Sequence, residues 1–246
     1  FPLSLDLKEE RPIEMIYLVL PTTMAVTQTL YRLLMEQAQP SSVHTLLSPL
    51  TLGFVGGLLL LLILPRPTRT YVLGHELTHA LWGMLMGARV GKINVSKKGG
   101  YVELSKTNFL ISLAPYFFPF YTGLVIAIYY LTSLFMSIET YHTLFLSLVG
   151  ITWAFHFHFT IQMLMTRQPD ITQNGRLFSY VIIYNLNMIT LAIWLICMGP
   201  STFPIGIDYL LNETMHSYQS SFEHINHLIQ KIETYARIQE WKKLIP

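Results

Sequence analysis

Charge is scarce in this sequence. Charged side chains make up only 12% of 246 residues, about half the share typical of soluble domains. The mean hydropathy of +0.42 points the same way, to a chain that belongs in a membrane. The formal net charge is +2, and no basic run exceeds the pairs Lys97-Lys98 and Lys242-Lys243. Nucleic acid is therefore excluded as a partner. The single cysteine, Cys197, lies inside an apolar run, which rules out a disulfide framework and a cysteine-based metal site. The sequence opens on Phe1 rather than methionine, as expected of a processed or longer precursor.

What the chain has instead is long apolar runs. Stretches of bilayer length, roughly 17 to 25 residues, fall near Ile13 to Leu34, Leu46 to Leu64, Thr70 to Ala88, Phe109 to Met136, Thr143 to Met165 and Leu177 to Met198. The expected fold is an all-α, multi-pass integral membrane protein of about six transmembrane helices. Lysine and arginine divide evenly between the two sets of loops, so charge does not orient it.

Two segments break the pattern. Around residues 90–105, Ile93 and Val95, then Tyr101 and Val102, flank Lys97-Lys98-Gly99-Gly100. β-formers around a glycine-containing turn predict a hairpin. Its edge, carried by Ile93, Val95, Tyr101 and Val102, is a candidate for holding an extended peptide substrate by strand addition. After Pro200 the chain turns polar, and Phe222, Ile225, Ile229, Ile232 and Ala236 recur at steps of three and four. That periodicity predicts an amphipathic helix over Asn212 to Lys243, a surface for the interface, for self-association or for a membrane-complex partner. The expected division is a transmembrane domain over 1–199, with its core at 71–199, and a helical segment over 200–246.

The third apolar run contains His75-Glu76-Leu77-Thr78-His79. H-E-x-x-H on a helix sets two imidazoles one turn apart on one face, where both can ligate a single Zn²⁺. The glutamate between them is placed to act as a general base on water. A charged Glu76 inside a span costs about 2.5 kcal/mol or more unless it is paired or faces a wet cavity, which favours a metal site over three buried polar groups.

A zinc enzyme needs a third protein ligand. Of the three aspartates, Asp6, Asp170 and Asp208, only Asp170 follows the motif and borders two spans. Its spacing equally suits a loop carboxylate paired with Arg167 or Arg176. His156 and His158 are two apart, so at most one could face the same site. Glu103 and Glu139 are glutamate alternatives. Gly83 and Gly87 suit close helix packing. Asn185 and Asn187 suit bonds between helices, with Asn185 or Asn174 alternatively steadying an oxyanion.

A membrane-embedded HELTH, a hairpin soon after it and an aspartate some way downstream near a glycine together resemble the site-2 protease family of intramembrane zinc metallopeptidases. The likeness covers about Tyr71 to Asn187. It implies His75, His79 and Asp170 as zinc ligands, Glu76 as the base and a membrane protein or peptide as substrate. The chain departs from the family at the aspartate: Asp170 is followed by Ile171, and the nearest glycine is Gly175. An inactive, peptidase-like scaffold or assembly subunit is the alternative. A membrane di-iron oxidase would want several more histidine boxes than the chain supplies.

A plain six-span layout starts the third helix on one face and leaves Asp170 on the other. For both to reach one zinc, either that helix begins earlier, near Pro67, or Met165 to Gly175 dips back as extended chain, which the resemblance favours.

Overall fold

The computed structural model describes residues 12–37, 48–65, 67–96, 99–198 and 203–244. The chain is mostly helical with one small antiparallel sheet. In order it forms α1 (Pro12–Gln37), α2 (Pro49–Ile63), α3 (Thr68–Leu85), β1 (Val90–Ser96), β2 (Gly99–Leu104), α4 (Phe109–Phe117), α5 (Phe120–Ser133), a 3₁₀ turn (Glu139–Tyr141), α6 (His142–Leu164), the short α7 (Pro169–Thr172), α8 (Arg176–Met198) and α9 (Phe203–Leu244). These fall into two compact units, Gln37–Asn187 and Phe1–Glu36 with Met188–Pro246.

Local chemistry sets several boundaries in the first unit. Ser48 caps α2 by accepting from the Thr51 amide, with Pro49 at the first helical position, where a missing N–H costs nothing. Asn108 caps α4 by accepting from the Ile111 amide at 2.9 Å. Pro119 biases the residue before it away from helix, and Phe118 is extended at φ −100°, ψ 110°. The run from Phe109 to Met136 is therefore not one span: α4 and α5 meet at a 77° bend.

Six transmembrane spans are not supported. Among the described residues, two helices are long and apolar enough to cross a bilayer, Glu139–Leu164 and Arg176–Ile193, or three if the bent pair α4–α5 counts as one. The shortfall has physical causes. At 15 residues and 1.5 Å per residue, α2 reaches only about 22 Å, against about 30 Å of hydrocarbon. Arg69, His75, Glu76 and His79 lower the hydropathy of α3. In α1 the hydroxyls of Thr23, Thr27 and Thr29 bond carbonyls one turn back. What stands is two or three apolar helices that fit a membrane.

Helices α2 and α6 pack backbone to backbone. A Cβ on Gly53 would collide with the Ser147 carbonyl, and one on Gly150 with the Leu50 carbonyl. The close-packing role read into Gly83 and Gly87 belongs here instead. Gly83 makes room for Leu104 of β2, and Gly87, at φ +75°, takes the left-handed turn that leaves α3. Gly150→Leu should force the two helices apart and destabilise the fold by at least about 1–3 kcal/mol. A reduced thermal midpoint in detergent checks this.

The core of this unit gathers Leu113, Ala114, Tyr116, Phe117, Ile171 and Ile183, with Trp82 and Phe109 against it. It joins α4, α7 and α8 around the residue that follows Asp170.

In the second unit, Leu30 and Leu33 of α1 pack with Ala192 of α8 and with Tyr209 of α9. Arg32 reaches the buried Glu213 at 2.6 Å, and Thr22 bonds the Tyr218 hydroxyl at 2.9 Å. The helix predicted for Asn212 to Lys243 begins nine residues earlier, at Phe203, and runs for 42 residues. The side chains of Ile232 and Ala236, and the Lys97-Lys98 turn of the hairpin, lie outside the described residues.

Candidate metal centre

Helical geometry in α3 stacks His75 and His79, placing their Nε2 atoms 3.2 Å apart. Each ring is held from behind. The Nδ1–H of His79 donates to the Ile111 carbonyl of α4 at 2.8 Å. That bond fixes the tautomer of the neutral ring and leaves the Nε2 lone pair facing inward. The Nδ1 of His75 pairs with the Tyr71 hydroxyl at 3.1 Å, and the Tyr71 ring stacks on Phe159 of α6 at 4.6 Å.

Asp170 comes to this pair from α7. Its Oδ2 lies 3.4 Å from His75 Nε2 and 3.6 Å from His79 Nε2. The loop between α6 and α8 is thus neither a separate surface turn nor the extended dip anticipated for Met165 to Gly175. Gln168 is extended, Pro169 starts a short helical turn and Asp170 sits in it. The third helix does begin close to Pro67, at Thr68.

Several contacts hold the turn. Ile171 is buried in the core, and Ser179 Oγ donates to its carbonyl. Asn174 Nδ2 donates to the Asp170 carbonyl at 2.8 Å, and Gln173 Nε2 to Ser112 Oγ at 2.8 Å. The Asp170 carboxylate accepts from Tyr116 O–H at 3.0 Å. Asn187 steadies that tyrosine's backbone by donating to its carbonyl at 2.9 Å.

The donor set fits a metal ion. His75, His79 and Asp170 each offer one ligand atom, all within 4.8 Å of one another. A tetrahedral ion with ligands at about 2.0–2.1 Å has ligand-to-ligand edges of roughly 3.3–3.4 Å, and the three edges here are 3.2, 3.4 and 3.6 Å. Two imidazole lone pairs aimed at a carboxylate form an electron-rich cluster that a cation would neutralise.

Glu76 is buried on the adjacent face of α3. The hairpin runs beside it. Its register pairs Ile93 with Val102, Asn94 with Tyr101 and Val95 with Gly100. By strand alternation, Ile93, Val95, Gly100 and Val102 share one face and Tyr101 lies on the other. Gly100 is the close approach: a Cβ there would come within 2.8 Å of both Glu76 Cγ and Val72 Cγ1. Sequence reasoning treated Gly100 only as part of a turn, because nothing local announces which strand glycine meets a helix. Gly100→Val is expected to push β2 off α3, sparing metal content while lowering any turnover that depends on Glu76, as read by metal analysis beside an activity assay.

The other candidates fall elsewhere. Glu103 engages the Lys92 amide within the hairpin at 3.3 Å, and Glu139 sits exposed in the 3₁₀ turn. His158 bonds Gln162 at 2.7 Å. His156 lines a small cleft beside the cluster with Tyr71, His75, Phe118 and Tyr121. Asn185 donates to Val181 within its own helix, whereas Asn187 links α8 to α4. Asp170 lies against His75 and His79 rather than pairing with Arg167 or Arg176.

Tyr116 is the residue touching the cluster that the sequence did not single out, since a tyrosine in an apolar run carries no motif. Hydrogen bonds to a ligating carboxylate orient it and tune its affinity. Tyr116→Phe should weaken metal binding about 10- to 100-fold, measurable by competition with a chromophoric chelator.

Comparison with protein-family models, with curated proteins and with solved structures gave no match.

Proposed function

We propose that the chain is an intramembrane zinc metallopeptidase that hydrolyses peptide bonds of membrane protein substrates. The observation that carries this reading is the convergence of His75 Nε2, His79 Nε2 and Asp170 Oδ2 beside the buried carboxylate of Glu76. When bound there, zinc supplies a Lewis acid that makes water more acidic and polarises a carbonyl.

The protein's own residues do the rest. His75, His79 and Asp170 would hold the ion, with Tyr71, the Ile111 carbonyl and Tyr116 fixing the orientation of each side chain. Glu76 takes the proton of the attacking water and returns it to the leaving amine. Helical substrate is a poor target because its carbonyls are already bonded. The hairpin, whose β2 backbone passes Glu76 at Gly100, offers an edge on which an unwound segment can pair. The two or three helices that suit a bilayer are in keeping with a membrane-associated protein and a membrane substrate.

The test is Glu76→Gln in protein reconstituted with single-span membrane peptides, with metal content and cleavage read together. Retained zinc with lost cleavage supports the peptidase. Cleavage undiminished in the variant overturns the mechanism, and wild type that binds zinc yet cleaves nothing favours the assembly-subunit reading.

A further inference from the structure

The ends of four helices meet at one side of the Gln37–Asn187 unit. Asn108, just before α4, donates to the sulfur of Met86 at the close of α3, and Lys106 Nζ lies beside Gly87. Phe109 of α4 packs edge-on against Phe178 of α8 at 5.3 Å. Tyr180 of α8 in turn donates to the carbonyl of Leu164, the last residue of α6. These contacts gather Arg89, Lys106, Arg167 and Arg176 at one end of the bundle, all four exposed.

Charge at that end is one-sided. Glu103 is offset by Lys92, whose amide it binds, and Asp170 is turned to the two histidines. Four cations remain in excess among the described residues. The other end of α6 differs: from Thr107 to Thr166 the sequence has no lysine or arginine, and its one acid is Glu139. Arg69 stands apart, at the far end of α3.

Two observations identify what this end fits. Exposed apolar side chains lie just inside the cations: Leu85 (72%) four residues before Arg89, Met165 (83%) two before Arg167 and Leu177 (56%) directly after Arg176. Three elements thus repeat the layering of a bilayer boundary, with the apolar residue inward and the guanidinium outward. The last two lie where α6 ends and α8 begins, the two helices long and apolar enough to cross a membrane. In addition, Arg176 is the first residue of α8, where the helix dipole is positive. A cation there opposes the helix's own field, and a phosphate above it would neutralise both.

We propose that this end of the bundle binds the headgroups of anionic phospholipids through Arg89, Lys106, Arg167 and Arg176, with Leu85, Met165 and Leu177 in the acyl layer beneath. The α7 turn that carries Asp170 sits between two of these anchors, so the bound lipid borders the turn that completes the candidate metal centre.

The inference needs neither metal nor peptidase activity. In a full-length Cys197→Ser background, a fluorophore would be attached at Met165→Cys, or at Phe135→Cys beyond the other end of α5. The protein would be placed in phosphatidylcholine nanodiscs doped with brominated phosphatidylglycerol or brominated phosphatidylcholine. The expected result is severalfold stronger association of the anionic lipid at Met165→Cys, read as quenching, with no preference at Phe135→Cys. Each cation near an anionic surface is worth about 5-fold. Arg89→Gln, Lys106→Gln, Arg167→Gln and Arg176→Gln should each lower the preference by up to that factor, and the combined variant should bring it to parity with an unchanged circular dichroism spectrum.

Equal quenching by the two lipids at Met165→Cys, the same preference at Phe135→Cys, or a preference that survives the combined variant overturns the proposal. So does quenching by neither lipid, which would take this end out of the bilayer. Loss of the preference on adding glycerol phosphate at constant ionic strength would reassign the cations to a soluble phosphate, and its loss to an acidic peptide would make the face a protein-docking surface; either refutes lipid binding.

Discussion

Purified His79→Ala protein should lose nearly all of its bound zinc, and Asp170→Ala should weaken affinity by more than about 100-fold. Either substitution leaves two protein ligands where a stable zinc site needs at least three. The loss should exceed the roughly 10- to 100-fold typical of removing a supporting hydrogen bond, which makes Tyr116→Phe the internal scale. The two substitutions differ in secondary effects. His79→Ala also frees the Ile111 carbonyl, which accepts the ring N–H inside the bundle. Asp170→Ala removes the acceptor of the Tyr116 hydroxyl while the α7 turn keeps its backbone bonds. Asp170→Asn separates charge from shape, since it preserves the size of the side chain but not its anion. Equal zinc in wild type and all three variants would show that the cluster is structural.

Glu76→Gln should retain zinc and lower cleavage by roughly 10²–10⁴-fold, the usual worth of a positioned acid-base group. The substitution keeps size and burial but removes the proton acceptor. Glu76→Asp is the companion variant: it retains a carboxylate but withdraws it by one methylene, so partial activity is expected. Because Glu76 is not one of the three clustered ligands, metal content should match wild type in both. A variant that loses zinc along with activity would mean that Glu76 holds the site together rather than acting on water.

Some of this site is legible in one helix. His75, Glu76 and His79 are close in sequence, and helical repeat alone puts the two imidazoles one above the other. Asp170 was different. Its spacing suited a loop carboxylate as well as a ligand, because the choice depends on what lies across the bundle. It was decided by Ile171 packing into a core with Tyr116 and Ile183, and by the hydrogen bond from Tyr116.

Hydropathy was a weaker guide to spans than to helices. Each apolar run does contain helix, but a sliding reading passes over Pro119 and the polar face of α3. The break at Phe118 and the 77° bend follow from the proline ring, a local steric effect that apolar composition conceals. The apolar periodicity of α9 was likewise visible as spacing. Its exposure was not, since whether an apolar stripe is already covered depends on which other helices pack there.

The sequence by itself determined the helical character of the apolar runs, the hairpin and the pair of histidines, because periodicity, turn chemistry and the i, i+4 relation act within a few residues. Only the tertiary structure decided that Asp170 meets that pair, that Tyr116 braces it and that Gly100 lies against Glu76. Each of those contacts joins residues far apart in the chain, and packing shape selects among partners that composition leaves equivalent.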